Sequence, residues 1–151
     1  MRFPRLSRWL GPALIPGLIG ALGLFSAAFA GADDDAVMVG EGGSLGQILT
    51  DAKGMTLYTW DRDTEPNVTT CYDACAVRWP PHIVTGAPTA PAGVTGTFGA
   101  TMRTDGTMMS TYNGKPLYYY QTDKAAGDTT GQAVGGTWWI IDADMMMMGG
   151  M

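Results

Sequence analysis

The alternation of apolar and polar side chains predicts short β-strands along most of this chain. Residues 55–61 place aliphatic and aromatic side chains on opposite faces, which is the two-residue period of a strand covered on both sides. Residues 108–112 and 116–121 flank Asn113-Gly114, and Asn-Gly is the strongest short-range signal for a hairpin turn. Further strands are predicted at 98–103 and 137–142, and a short edge strand at 37–39. The predicted class is therefore all-β.

The chain also carries an internal repeat. Residues 57–63 and residues 117–123 both read Leu-Tyr-x-aromatic-x-x-Asp. The same ungapped shift of sixty positions lays Gly46 on Gly106 and Trp79 on Trp139. We therefore predict two copies of one unit, at about 44–85 and 98–142, related by a pseudo-two-fold axis. Each copy alone has too few strands to be stable, so the two form a single small domain over 44–142. The residues that define the repeat motif are Tyr58, Trp60, Asp63, Tyr118, Tyr120 and Asp123.

Helical character is predicted only between the copies, at 70–77, where Thr70 is the expected cap. Cys71 and Cys75 lie in this segment and are the only cysteines, so in an exported protein they favour a disulfide. So small a loop stabilises by roughly 2 kcal/mol in the chain-entropy model. The rival interpretation is a metal site that adds His82, the only histidine, but a fourth ligand is not evident. We expect His82 to be a surface or packing residue.

The first thirty residues are predicted to be a signal peptide. Three arginines precede an apolar run that ends in Ala28-Phe29-Ala30, an A-x-A cleavage site. The run is long enough to span a bilayer, so an uncleaved anchor is the alternative. Residues 31–43 are small and acidic, which indicates a solvated linker. We expect an exported protein, periplasmic or extracellular.

Charge narrows the range of partners. Without residues 1–30 the chain keeps six of its nine basic residues and all fourteen acidic ones, a net charge near minus eight. Nucleic acid and anionic membrane surfaces are therefore not expected to bind, whereas cations are attracted. Another envelope protein or a small ligand stays open as the partner.

Two sets of residues in the repeat could carry function. Asp63 and Asp123 occupy equivalent positions, and a paired-carboxylate hydrolase would need both to face one pocket. We favour a structural role instead, in which each accepts hydrogen bonds from the loop that follows it. The aromatic residues could form a stacking platform for a ligand, or could be core residues and cross-strand pairs. These aromatic residues are Tyr58, Trp60, Tyr118, Tyr119 and Tyr120.

Three longer motifs carry a family resemblance. They read L-G-x-I-L-x-D-x-K-G-x-T-L-Y-x-W-x-x-D, then C-Y-x-x-C-A-x-x-W-P-P, then Y-N-G-K-P-L-Y-Y-Y-x-x-D-x-x-x-G-D-T-T-G-Q-x-V-G-G-x-W-W. The chain resembles, over 45–141, the bacterial predicted lipoproteins with a Y-x-(F/W/Y)-x-x-D motif, also called the secreted repeat of unknown function. The resemblance implies an extracytoplasmic envelope protein and supplies no catalytic residues. The chain departs from the lipoprotein members because it lacks the lipobox cysteine.

These observations favour a non-enzymatic binding or interaction module without catalytic residues or a resident cofactor. The alternative is copper handling by the Met-rich tail at 143–151, which holds five of the eleven methionines. Thioether sulfur is a soft ligand that suits Cu(I), and a flexible tail can gather several around one ion. The same composition is explained by a disordered tail, which tolerates a Met-rich run because nothing packs on it. It is also explained by an apolar contact surface for another envelope protein. The candidate ligands are Met145, Met146, Met147, Met148 and Met151.

Overall fold

The computed structural model describes residues 34–144. Within them the fold is mainly antiparallel β structure, as the alternation of side chains predicts. In chain order the elements are β1 (Val37–Glu41), β2 (Gln47–Asp51), β3 (Tyr58–Trp60), α1 (Ala74–Arg78), β4 (Ile83–Val84), β5 (Phe98–Met102), β6 (Met108–Tyr112), β7 (Lys115–Pro116) and β8 (Trp138–Ile140). Short 3₁₀ turns lie at Gly43–Leu45 and Val134–Gly136.

The internal duplication is confirmed by the pairing of these strands. Strands β1 and β2 form a hairpin in the first copy, and β5 with β6 forms the equivalent hairpin in the second. The repeated segments that follow each end in the same turn, because the Asp63 N–H donates to the Trp60 carbonyl at 3.1 Å and the Asp123 N–H donates to the Tyr120 carbonyl at 3.0 Å. Equivalent stretches of sequence thus adopt equivalent local structure.

The two copies exchange their last strands. Strand β4 of the first copy pairs with β6 of the second through Ile83 and Met109. In the reciprocal place Asp142, at the end of the second copy, bridges Ile48 on β2 of the first. Each hairpin is therefore completed by the other copy, which agrees with the expectation that neither half is stable alone.

The ungapped shift of sixty residues is wrong in detail. Val37 pairs with Asp51 and Phe98 pairs with Tyr112, so equivalent hairpin positions lie 61 residues apart. The turn after each hairpin explains the difference. In the second copy Asn113 and Gly114 close it in two residues, both at positive φ, as Asn-Gly predicts. In the first copy the turn is longer by one residue, and the Asp51 carboxylate accepts the N–H groups that it exposes.

The predicted element boundaries also need correction. The helix begins at Ala74 rather than at residue 70, and its N-cap position is Asp73. Thr70 lies outside the helix, where its N–H and hydroxyl donate to Asp63. The short edge strand predicted at 37–39 is confirmed as β1, which extends to Glu41. It lies inside the stretch predicted to be a solvated linker, although its Val37 is buried against the core. The predicted strand 55–61 is regular only over β3. In residues 34–144 no helix has the length and apolar character needed to cross a bilayer.

Buried side chains form two clusters, one aliphatic and one aromatic. The aliphatic cluster joins the two hairpins and consists of Val37, Leu49, Leu57, Tyr112, Leu117, Ile141 and Ala143. The aromatic cluster lies where the repeated segments meet and consists of Tyr58, Cys71, Trp79, Met109, Tyr118 and Trp138. Both clusters draw on both copies, so the domain has a shared interior.

Candidate functional site

The repeated tyrosines meet each other directly. The Tyr58 N–H donates to the Tyr118 carbonyl at 2.8 Å, and the Tyr118 N–H donates to the Tyr58 carbonyl at 2.9 Å. A residue that pairs with its own counterpart lies on the axis relating the copies. The first aromatic position of the motif is therefore the centre of the pseudo-two-fold.

The tyrosine hydroxyls then cross to the opposite copy. Tyr58 donates to Oδ2 of Asp123 at 2.7 Å, and Tyr118 donates to Oδ2 of Asp63 at 2.5 Å. The remaining oxygen of each aspartate binds its own loop. Oδ1 of Asp63 accepts the N–H and hydroxyl of Thr70, and Oδ1 of Asp123 accepts those of Thr130. Each carboxylate thus receives three hydrogen bonds and fixes one loop to the other copy.

The four residues of these tyrosine–aspartate hydrogen bonds are buried, which indicates a structural role. Tyr58 and Tyr118 have no exposed surface, and Asp63 and Asp123 are 1 % and 6 % exposed. Desolvation and the hydrogen-bonded carboxylate raise the pKa of both tyrosines. The two carboxylates point into separate loops, so the hypothesis that they share one pocket as acid and base is wrong. Acceptance of hydrogen bonds from the following loop is confirmed.

Four aromatic rings stack in a column across the axis. Trp79 and Trp138 lie face to face at the centre, with ring centroids 3.7 Å apart and planes 3° apart. Tyr120 stacks on the outer side of Trp79 at 4.1 Å, and Trp60 on the outer side of Trp138 at 4.9 Å. Because Tyr120 is the counterpart of Trp60, Trp138 is the counterpart of Trp79. The alignment of Trp79 with Trp139 was off by one residue.

The predicted platform of exposed aromatics is mostly wrong. Tyr58 and Tyr118 are fully buried, since their hydroxyls serve the aspartates. Tyr119 is half-buried, and its hydroxyl donates to Asp51 at 2.9 Å. Trp60 and Tyr120 are half-buried at the two ends of the column. Of the five residues of the predicted platform, Trp60, Tyr119 and Tyr120 keep partial exposure, and Trp60 and Tyr120 lie at the ends of the column.

One end of the column opens into a shallow groove of about 330 Å³, which we name the Trp60 groove. The Arg62 guanidinium lies over the Trp60 ring, 5.9 Å from its centroid. The arginines and Trp138 were not recognised in the sequence, although a one-residue gap in the repeat alignment identifies Trp138. The groove is lined by Trp60, Ala74, Cys75, Arg78, Trp79 and Trp138.

The two cysteines form the predicted disulfide, with Cα atoms 5.2 Å apart. The rival metal site is therefore wrong, because its thiolates are consumed in the bond. In the second copy Gly131 stands in place of Cys71, and a side chain there would meet the Tyr58 ring at 2.8 Å. The N–H of Gly131 donates to the Tyr58 hydroxyl at 3.1 Å instead. The disulfide belongs to one copy only.

His82 is a packing residue. It is 1 % exposed, its Nδ1 lies 2.7 Å from Oγ of Ser110, and the Tyr119 ring meets it edge to face. Burial lowers its pKa. Backbone hydrogen bonds explain the position of His82 in the fold. The Ser110 N–H donates to the His82 carbonyl, and the Leu49 N–H donates to the Ile141 carbonyl in the same way. His82 therefore fills the place that Ile141 fills in the other copy.

Residues 34–144 contain no group of three or more His, Cys, Asp or Glu side chains arranged to hold a metal ion. The Met-rich tail lies outside the described residues, as does the predicted signal peptide. The copper hypothesis therefore stays a prediction from composition.

Comparison with protein families agrees with this geometry. A family model described as a secreted repeat of unknown function matches twice, at residues 42–82 and 99–142. The chain belongs to this family. Its two matches are the two copies joined here through Tyr58 and Tyr118, and the family description makes this an exported protein. Neither a curated protein nor a solved structure matches the chain.

The tyrosine pKa shifts predict a loss of stability at alkaline pH. Burial raises the pKa of Tyr58, Tyr118 and Tyr119 in the folded state, whereas the unfolded chain ionises near pH 10. Their contribution is complete below that pH and is lost above it, by about 1.4 kcal/mol per pH unit for each tyrosine. Urea unfolding measured at a series of pH values should show this decline.

The matched control is the double variant Tyr58→Phe/Tyr118→Phe. It should be less stable at neutral pH but should decline less steeply above pH 10, because two of the three shifted groups are gone. Equal slopes for the variant and the unmodified protein would contradict the assignment.

Proposed function

We propose that this protein is a non-enzymatic binding module of the cell envelope and that the Trp60 groove is its contact surface. The observation that carries the proposal is the open end of the aromatic column. Trp60 stays half-buried although it stacks on Trp138, so part of this residue remains accessible where it lines the groove. Aromatic rings held rigidly by stacking contribute contact area at low entropic cost.

The chemistry of the groove indicates the kind of partner. Its walls are mainly apolar, and Arg78 on its rim and Arg62 above Trp60 bring positive charge. The protein is otherwise acidic, with fourteen Asp and Glu against nine Lys and Arg. We infer a peptide segment of another envelope protein that carries a planar side chain next to a carboxylate. The ring would lie against the column while the carboxylate meets a guanidinium.

The family description and the predicted signal peptide support a location for the module outside the cytoplasm. An exported chain with an acidic surface remains soluble in the periplasm or outside the cell. We place it in the periplasm or at the outer surface of the envelope, where it meets exported proteins.

A titration with N-acetyl-tryptophan tests the groove. This probe carries one indole and one carboxylate, and N-acetyl-tryptophanamide is the matched probe without charge. In ¹H–¹⁵N spectra of the exported protein we expect shifts confined to Trp60, Ala74, Cys75 and Arg78. Affinity should lie in the millimolar range, on the order of −4 kcal/mol, as suits a single anchoring group.

The variant Arg78→Gln should weaken binding of the acid several-fold and leave binding of the amide unchanged. Lys124→Gln, an exposed cation elsewhere, serves as the control and should change neither. Shifts spread over the whole surface, or equal binding of acid and amide, would refute the proposed site.

The alternative function is copper handling by the Met-rich tail, which rests on five methionines within seven residues. A competition titration with Cu(I) should then show binding by the exported protein and none by a version that ends at Asp144. Equal affinity in both would exclude the tail, and no affinity in either would retire copper.

A further inference from the structure

We propose that the Cys71–Cys75 disulfide is a thiol–disulfide exchange site, which an exported dithiol protein reduces by attack at Cys75. Such a site adds a redox chemistry to the wall of the Trp60 groove. It goes beyond peptide binding and would stand even if N-acetyl-tryptophan did not bind.

The two cysteine residues differ in exposure. Cys71 has no exposed surface and packs in the aromatic cluster. Cys75 is half-buried and lines the Trp60 groove. Exchange begins when a thiolate reaches one sulfur of a disulfide, and which sulfur it reaches decides the leaving group. The groove therefore directs attack to Cys75 and makes Cys71 the leaving thiolate.

A buried cation, Arg103, contacts the backbone of Cys71, the cysteine that would leave as a thiolate. Arg103 is 5 % exposed, and its guanidinium lies 3.4 and 3.5 Å from the Cys71 carbonyl oxygen. Its ion-pair partner Asp105 lies 3.7 Å away, and the Arg103 Nε has no hydrogen-bond partner. The guanidinium also lies over the Tyr72 ring, 4.6 Å from its centroid, and 3.7 Å from Met109 Sδ, both of which are uncharged groups. Positive charge near a cysteine favours its thiolate form, so Arg103 would stabilise Cys71 as it leaves.

The second copy shows that the shared fold does not need this bond. It builds the same hairpin, motif and aromatic stack with Gly131 in place of Cys71. The loop closed by the disulfide spans a sequence separation of four, so it stabilises the fold by only roughly 2 kcal/mol. By thermodynamic linkage, the folded state opposes reduction of the disulfide by no more than this roughly 2 kcal/mol of free energy. A structural disulfide of a large loop would be protected more strongly.

The reaction balances as a two-electron exchange. The thiolate of the partner dithiol attacks Cys75 Sγ, a mixed disulfide forms, and the Cys71 sulfur leaves with the electron pair of the broken bond. The second thiolate of the partner then attacks the mixed disulfide and releases Cys75. The partner is oxidised to its disulfide, and Cys71 and Cys75 take up the two protons.

The first experiment treats the folded exported protein with dithiothreitol, without denaturant, followed by alkylation and mass measurement. We expect two alkyl groups per chain, with circular dichroism of the fold retained. The reduction rate should not depend on low concentrations of urea. A rate that rises with urea as global unfolding does, or loss of the fold on reduction, would overturn the proposal.

The second experiment compares Cys71→Ser, which leaves Cys75, with Cys75→Ser, which leaves Cys71. Each variant has a single thiol, so 5,5′-dithiobis(2-nitrobenzoate) reports the access of each sulfur. We expect Cys75 to react at least about tenfold faster than Cys71. Equal rates, or a faster Cys71, would contradict attack at Cys75. If either serine variant fails to fold, the corresponding alanine variant takes its place in the comparison.

Discussion

Two buried hydrogen bonds, from a tyrosine of each copy to an aspartate of the other, hold this domain together. A carboxylate with no access to water is costly unless donors surround it, and each aspartate here receives three. One donor comes from the opposite copy and two from the loop that the aspartate begins. Removing the tyrosine hydroxyl therefore leaves a buried carboxylate with two donors instead of three and releases its loop from the opposite copy. The motif Tyr-x-aromatic-x-x-Asp supplies a donor tyrosine and an acceptor aspartate in each segment, and each tyrosine donates to the aspartate of the other copy.

The aromatic column and its groove follow from that arrangement. Once the Tyr58–Tyr118 bridge fixes the axis, the next aromatic position of each motif, Trp60 or Tyr120, lies at an end of the column. Trp79 and Trp138 fill the middle, where each also meets a motif tyrosine edge to face. The copies differ beside the column, since one has a disulfide and the other has glycine. The surface that could serve function is thus found where the symmetry breaks.

Much of the fold could be predicted from the sequence, because strand alternation, the Asn-Gly turn and the repeat are local signals. The disulfide could be predicted as well, since two cysteines in an exported chain have few other roles. The exchange of strands could not, because a repeat shows which positions are equivalent but not which copy each one contacts. The turn closed by Asp51 is one residue longer than the turn closed by Asn113. A second one-residue difference, between the repeated motif and the central tryptophan of the column, hid Trp138 from an ungapped alignment.

The candidate site was harder to predict for a related reason. Tyr58 and Tyr118 were candidates for a ligand platform because aromatic residues on strands are equally suited to surface and core. Burial decides between the two, and burial depends on contacts between the copies. Arg78 and Arg62 can be assigned to the site only from the structure, in which Cys75 and Trp60 line the same groove.

The most direct test of this account is a double-mutant cycle on Tyr118→Phe and Asp63→Asn, followed by urea unfolding. We predict a coupling free energy of about 1.5–3 kcal/mol, as expected for a buried hydrogen bond to a charged group. Tyr72→Phe is the control, because its hydroxyl meets only the exposed Thr104 N–H at 3.3 Å, and it should cost within about 0.5 kcal/mol. Additive effects of the two changes, with a cost for Tyr118→Phe no larger than that for Tyr72→Phe, would contradict the claim that these crossed contacts join the copies.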